Sequence, residues 1–240
     1  MHGNSEYAYG MWPIVLLNIG FVLIFVFSFL APKRKIEWRS MGLFTAWIAA
    51  LFTEMYGFPL TIYALTALLG RSYPVLDPFS HQNGHLLVAL AGGSTWAWAA
   101  IMGGTTLLFW GGLWIMEKGW RQIHRAKGTL VTDGIYARVR HPQYTGMFLL
   151  IGALLIQWPT LISLLMAPVL VVVYVRLARR EEAEVEALFG QAYRAYRAQV
   201  PAFWPHLAKL FKPLDDARQP ASPIQEHSFL SSDNRPGNRR

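Results

Sequence analysis

Residues 144–174 read YTGMFLLIGALLIQWPTLISLLMAPVLVVVY and are the most informative stretch of the 240-residue chain. These 31 residues are nearly all apolar, whereas one helix needs only about 20 to cross a bilayer. The sequence Gln157-Trp158-Pro159-Thr160 lies near the middle and is typical of a turn. The stretch therefore predicts a tight hairpin of two short transmembrane helices.

Three further apolar stretches precede this hairpin, at Met11–Ala31, Met41–Gly70 and Leu86–Met116. Pro59 predicts a kink in the second stretch, because proline lacks an N–H and clashes with the preceding turn. The third contains three Gly-Gly pairs; we expect one long tilted helix there, with a broken helix as the alternative. Glu54 lies inside the second stretch and is either a functional carboxylate or a residue near a helix end that reaches the interface.

The composition agrees with a membrane protein. Apolar residues make up 53% of the chain and charged residues 15%, against roughly 25% charged residues in soluble domains. The net charge of +8 reflects basic residues beside apolar spans rather than a basic stripe on a soluble module, so no nucleic-acid binding is predicted. The absence of cysteine excludes disulfides, thiolate metal ligands and a cysteine nucleophile. No metal site is predicted.

The distribution of Lys and Arg predicts the topology. The segments after the first and third apolar stretches are basic, whereas the N-terminal residues and the loop after the second stretch are poor in Lys and Arg. By the positive-inside rule the N-terminus lies outside and the C-terminus in the cytoplasm. We therefore expect an all-α polytopic bundle of about five spans, although a re-entrant hairpin would also return the chain inside.

Two segments contain more polar and charged residues than a membrane anchor needs. In the first, Arg140 and His141 stand just before the fourth span, where they bind a ligand or only mark the interface. In the second, residues 176–205, the spacing of Tyr193, Tyr196 and Arg197 places them on one helical face. An exposed helix with Glu–Arg pairs is the alternative for that segment. No Walker loop, zinc-protease helix or nucleophile elbow is present.

Taken together, the two segments resemble the isoprenylcysteine carboxyl methyltransferase family, which is related to the phospholipid methyltransferases. The family pattern has two halves, and the resemblance covers about residues 128–205. The first half is matched by Gly134, Tyr136, Val139, Arg140, His141, Pro142, Tyr144 and Gly146. The second is matched by Glu181-Glu182, Phe189-Gly190, Tyr193, Tyr196 and Val200-Pro201.

The resemblance implies a membrane methyltransferase that uses S-adenosylmethionine and takes its acceptor from the bilayer. Its implied domains are N-terminal transmembrane helices (1–117), a cofactor-binding and catalytic region (118–212) and a disordered tail (213–240). The implied catalytic residues are Arg140, His141, Glu181 and Glu182. The implied cofactor-binding residues are Val131, Thr132, Gly134, Tyr136, Arg140, His141, Tyr144, Glu181, Glu182, Tyr193 and Tyr196. Substrate contacts are assigned to Glu54, Arg176 and Arg197.

The acceptor is left open by the sequence. A prenylcysteine-like carboxylate is typical of the family, and a phospholipid amine or a small thiol is the alternative. Prenylcysteine-methylating relatives usually carry an Arg four residues before the first Glu of the pair, and here that residue is Leu177. A membrane reductase resembling the sterol reductases and a non-catalytic membrane component are alternatives of other classes. We expect a multi-pass protein of a bacterial inner membrane, with its site facing the cytoplasm.

Overall fold

The computed structural model describes residues 10–29, 35–69, 84–126 and 128–205, and every regular element in these ranges is helical. The helices are α1 (Trp12–Phe29), α2 (Lys35–Phe52), α3 (Leu60–Leu69), α4 (Leu86–Leu90), α5 (Thr95–Arg125), α6 (Pro142–Gln157) and α7 (Leu161–Gln199). A π-helical turn (Thr53–Gly57) follows α2, and a 3₁₀ turn (Gly134–Ala137) precedes α6. The predicted all-α class is confirmed. The predicted disordered tail lies outside the described residues.

Two of the described helices, α5 and α7, are long and apolar enough to cross a membrane. A third candidate is the pair Arg39–Gly57 and Leu60–Leu68, which bends by 71° at the intervening break. The helices α1 and α6 are also apolar, but their apolar parts are shorter than those of α5 and α7. Large apolar side chains point outward, such as Leu107 (76% exposed) and Leu165 (77% exposed). Such an apolar exterior indicates a membrane protein.

The kink predicted at Pro59 is confirmed, and Glu54 stabilises it. The Oε2 atom of Glu54 accepts the Thr61 backbone N–H at 2.9 Å, at the start of α3. The Thr61 hydroxyl oxygen in turn accepts the Leu161 backbone N–H at 2.9 Å, at the start of α7. Glu54, which is 4% exposed, therefore satisfies a free amide at the break in the second apolar stretch.

The third apolar stretch is broken, so the expectation of one long helix was wrong. Gly92 and Gly93 have φ values of 80° and 65°, a left-handed conformation that glycine adopts at little cost. Ser94 then caps α5 by accepting the Ala97 backbone N–H at 3.1 Å. This helix continues past Met116 to Arg125, so the boundary predicted at 117/118 falls inside a continuous helix.

The turn predicted at Gln157–Thr160 is present in the structure, but the expectation of two short helices was wrong for the second one, since α7 continues for 39 residues to Gln199. Thr160 and Ser163 form a reciprocal cap at the start of α7, in which each side chain accepts the other's backbone N–H. Trp158 in the turn is only 3% exposed. Because the turn is short and capped, α6 and α7 run back towards the same end of the bundle.

Glycine allows α5 and α6 to approach closely. A methyl group at Gly112 would lie 2.7 Å from the carbonyl oxygen of Gly146, and one at Gly119 would lie 2.8 Å from Cγ of Pro142. Such small residues let helix backbones approach closely in lipid, where close packing rather than the hydrophobic effect drives helix association. The contact brings the C-terminal part of α5 beside the first turn of α6, next to Arg140 and His141.

A single added methyl group tests this contact. In Gly146→Ala the new methyl would meet Met116 and lie 2.5 Å from the Gly112 carbonyl oxygen. We expect a loss of about 1–3 kcal/mol of stability from overpacking, measured as a lower melting temperature in detergent. Gly152→Ala in the same helix is the control, since nothing lies within 4 Å of its methyl. Equal melting temperatures for the two variants would contradict this packing.

Candidate functional site

The segment before α6 is held by the segment after α7. The Arg140 backbone N–H donates to the Pro201 carbonyl at 2.9 Å, and the His141 backbone N–H donates to the Ala202 carbonyl at 3.0 Å. The Thr145 hydroxyl donates to the Phe203 carbonyl at 2.7 Å. The two motif halves, separated by the hairpin in sequence, therefore lie side by side.

Glu182 joins these halves through its carboxylate. Its Oε1 atom accepts the Arg140 Nε–H at 2.9 Å and lies 2.8 Å from the second terminal nitrogen of the same guanidinium. The same oxygen lies 2.9 Å from His141 Nε2, which donates because a carboxylate can only accept. The three side chains are each 10–12% exposed. This is a buried, charge-assisted cluster.

The electrostatics of the cluster favour an ionised Glu182. Burial by itself would raise the pKa of the carboxyl group, since it penalises the charged form. The hydrogen bond from His141, together with the charge and hydrogen bonds of Arg140, outweighs burial and lowers the Glu182 pKa to about 2. Glu182 is therefore an anion throughout the physiological pH range.

Arg140 is largely occupied by protein groups. Besides its bonds to Glu182, its Nη1 atom donates to the Arg197 carbonyl at 3.0 Å and to the Val200 carbonyl at 2.7 Å. These carbonyls belong to the last turn of α7 and to its C-cap residue, and such carbonyls lack helical partners. The geometry makes Arg140 a positioning residue for the end of α7. Its predicted contact with a cofactor stays a prediction.

Glu181 has a different environment from its neighbour. The Tyr144 hydroxyl donates to Glu181 Oε1 at 2.6 Å, and Oε2 lies 3.9 Å from His141 Nδ1. The Glu181 side chain is nonetheless 42% exposed. The His141 ring packs between Tyr144 and Phe203, at centroid distances of 5.8 and 5.5 Å. Glu181 thus presents an accessible carboxylate that is oriented by the Tyr144 hydroxyl and lies beside the largely buried His141 ring.

The tyrosines of the second half contact the 3₁₀ turn. Gly190 has φ 52° and ψ −122°, so it interrupts α7. The Tyr196 hydroxyl donates to the Tyr136 carbonyl at 2.7 Å. Burial first and the charge of Glu181 second raise the Tyr136 pKa, and burial above all raises the Tyr193 pKa to about 12. These phenols therefore stay protonated and act as donors.

A basic cleft lies beside the turn, between the end of α5 and the loop that follows it. Its volume is about 730 Å³, within the usual range for small-molecule sites. Val131, Thr132 and Gly134, predicted to bind a cofactor, line this cleft. The charged residues of its wall are three cations, Lys118, Arg121 and Arg125, and two carboxylates, Glu117 and Asp133. The Gly134–Ala137 turn separates the basic cleft from Tyr196 of α7, whose hydroxyl donates to the Tyr136 carbonyl of this turn.

Gln122 holds this loop and was not identified from the sequence. Its Nε2 atom donates to the Asp133 carbonyl at 3.0 Å and to the Asp133 side chain at 3.1 Å. Its Oε1 atom accepts the Ile135 backbone N–H at 3.3 Å. A lone glutamine on a basic helix carries no sequence signal, because its partners come from a loop whose path depends on the tertiary structure.

The structure does not bring the three predicted substrate residues together. Glu54 is linked through Thr61 to the start of α7, about 20 residues before Glu181, which corresponds to roughly 30 Å along the helix. Arg176 is exposed on α7. Only Arg197 approaches the cluster, with Nε 3.9 Å from Glu182 Oε2 and Nη1 3.2 Å from Glu186.

The lowered Glu182 pKa predicts a pH-dependent contribution to stability. Because the folded pKa of about 2 lies below the ordinary value of 4.5, the contribution is complete above pH 4.5 and is lost as the pH falls towards 2. We expect Glu182→Gln to lower the melting temperature at neutral pH, with a difference from wild type that shrinks across this window. Exposed Glu184 supplies the control variant, Glu184→Gln. A pH-independent difference would show that the carboxylate charge is unimportant.

Comparison with known proteins supports the resemblance stated for the motifs. Residues 93–192 match a family model described as phospholipid methyltransferase. Over 74 residues the chain is 40% identical to the protein-S-isoprenylcysteine O-methyltransferase of Schizosaccharomyces pombe; the match covers 30% of this chain and 31% of that relative's length. No solved structure matches the chain. The region from the start of α5 through Glu181 and Glu182 is therefore similar to the phospholipid methyltransferase family, and about a third of the chain is similar to a protein-S-isoprenylcysteine O-methyltransferase.

Proposed function

We propose that this chain is a membrane methyltransferase that moves a methyl group from S-adenosylmethionine to a lipophilic acceptor. The observation that carries the proposal is the meeting of the two motif halves through Glu182, with the accessible Glu181 carboxylate beside Tyr144 and His141. The basic cleft adjoins this group. The family match covers the first motif half and the second as far as Phe189-Gly190.

The residues present fit this cofactor. S-adenosylmethionine carries a sulfonium cation, an ammonium group and a carboxylate. Glu181, accessible and oriented by the Tyr144 hydroxyl, suits either cation. The basic wall of the cleft suits the carboxylate. The cofactor-binding role of Val131, Thr132 and Gly134 is assigned to this cleft, and that of Tyr136, Tyr193 and Tyr196 to its boundary with α7.

When bound, this cofactor supplies an electrophilic methyl group on sulfur. A carboxylate acceptor forms an O–C bond to that methyl as the C–S bond breaks, and the electron pair stays on sulfur. No proton needs to move. An amine acceptor must release one proton, which Glu181 or His141 would receive. The protein contributes alignment above all, because an in-line displacement depends on orientation.

The location of the site supports a cytoplasmic orientation. Lys118, Arg121 and Arg125 of α5 lie near the start of α6, because Gly119 packs against Pro142. The positive-inside rule places such a basic end in the cytoplasm. We propose five spans formed by α1, the bent α2–α3 pair, α5, α6 and α7, with the N-terminus outside.

Cofactor binding is the first test. A ligand that binds only the folded state raises its stability, so S-adenosylmethionine and its demethylated product should each raise the melting temperature of the detergent-solubilised protein. Adenosine and methionine added separately serve as controls for weak partial ligands. No shift with millimolar cofactor would contradict the proposal.

Removal of the imidazole is the second test. We expect His141→Ala to abolish transfer of labelled methyl to a membrane extract or a prenylcysteine analogue, since the ring binds Glu182 and lies beside the Glu181 carboxylate. The protein should still insert and elute as a single species. The matched control is His124→Ala, because His124 is exposed and stacks on Trp120. Wild-type turnover in His141→Ala would show that the site is wrongly assigned.

A further inference from the structure

Two ion pairs cross the kink of α7 at Gly190. Glu186 precedes the kink, and Arg194 and Arg197 follow it. The Glu186 Oε1 atom accepts the Arg194 Nε–H at 2.8 Å, and its Oε2 atom accepts an N–H of Arg197 Nη1 at 3.2 Å. A straight helix would separate Glu186 from Arg194 by about 12 Å along its axis, so the kink brings these side chains together.

Glycine by itself does not fix how far the helix bends. Gly190 has φ 52° and ψ −122°, values that it reaches without the steric penalty of a side chain. The bend is therefore fixed by side-chain contacts across and beyond the kink. A lone exposed ion pair stabilises little, but the Glu186 carboxylate, which is 27% exposed, binds two guanidinium groups, and such a network has a larger effect.

The residues after the kink reach the proposed site. In this kinked segment (residues 191–200) the Tyr196 hydroxyl donates to a carbonyl of the 3₁₀ turn at 2.7 Å. The Arg197 carbonyl accepts an N–H of Arg140 Nη1 at 3.0 Å, and the Arg197 Nε atom lies 3.9 Å from Glu182 Oε2. The position of the kinked segment therefore affects both the turn beside the basic cleft and the surroundings of Glu182.

We propose that Glu186 is a positioning residue for this site. By binding Arg194 and Arg197 it holds the kinked segment against the 3₁₀ turn and keeps the Arg197 guanidinium beside Glu182. Glu186 is not among the residues of either motif half, and it acts through its partners rather than by touching cofactor or acceptor. The predicted substrate contact of Arg197 is replaced here by contacts with protein carboxylates. The inference rests on the proposed function and adds a residue that controls the geometry of its site.

The position of the kinked segment is tested first without cofactor. Glu186→Gln keeps the shape of the side chain and removes its charge. We expect the backbone amides of residues 191–200 to exchange hydrogen about three- to tenfold faster in this variant, because weaker ion pairs let the segment open locally more often. Mass spectrometry of the detergent-solubilised protein measures the exchange rate.

Glu184→Gln is the matched control, because it makes the same charge change at an exposed position of the same helix. It should leave the exchange of the kinked segment as in wild type. Equal exchange in Glu186→Gln and wild type would overturn the proposal.

Turnover separates positioning from general stability. We expect Glu186→Gln to raise the KM for S-adenosylmethionine about three- to tenfold, because the kinked segment contacts the turn beside the basic cleft. A purely structural ion pair would lower the melting temperature and leave this KM unchanged, which would overturn the positioning role. Arg179→Gln, a loss of an exposed cation elsewhere on α7, is the control.

A double variant tests whether Glu186 acts through Arg194. Arg194→Gln should raise the same KM by no more than Glu186→Gln does, since it breaks one of the two ion pairs. Glu186→Gln combined with Arg194→Gln should then be no worse than Glu186→Gln alone, because residues in one network are not additive. A double variant that shows the sum of the two single effects would overturn the network.

The outcomes distinguish this inference from the proposed function. Faster exchange of the kinked segment in a protein that shows no thermal shift with cofactor would support the role of Glu186 in holding the segment and contradict the methyltransferase proposal. A normal thermal shift and normal turnover in Glu186→Gln, together with unchanged exchange, would overturn the positioning role and leave the proposed function standing.

Discussion

The carboxylate of Glu182 is the interaction on which the site depends. It is placed on α7, and it binds the guanidinium and the imidazole that precede α6, at 2.8–2.9 Å. A buried ion pair of this kind has a small net effect on stability, because desolvation offsets much of the Coulomb attraction. Its larger effect is on geometry. Removing one partner would leave the other charged and buried, so the two ends of the hairpin are held in one arrangement.

The neighbouring Glu181 shows how one Glu-Glu pair serves two purposes. Consecutive residues on a helix point about 100° apart, so Glu182 turns into the cluster and Glu181 turns towards Tyr144 and the open side. The first carboxylate is neutralised by Arg140 and His141, whereas the second remains accessible at 42% exposure. The adjacent carboxylates therefore differ: Glu182 is bound within the protein, and Glu181 remains open to solvent.

Close helix packing makes this arrangement possible at the membrane boundary. Gly112, Gly119 and Gly146 let α5 approach α6, and this contact brings the basic end of α5 beside His141. The same contact places the basic cleft beside Lys118, near the end of α5.

The sequence by itself determined the helical class, the hairpin turn at Gln157–Thr160, the break at Pro59 and the two motif halves. These follow from local properties: runs of apolar residues, proline geometry and residue spacing. The sequence did not determine that the third apolar stretch breaks at Gly92-Gly93, since glycine permits a break without requiring it. Only the tertiary structure decided that Arg140 holds the end of α7, that Gln122 holds the loop before Ile135, and that Glu54 caps a kink far from Glu181. Each of these roles depends on partners distant in the chain, and no local pattern specifies such a partner.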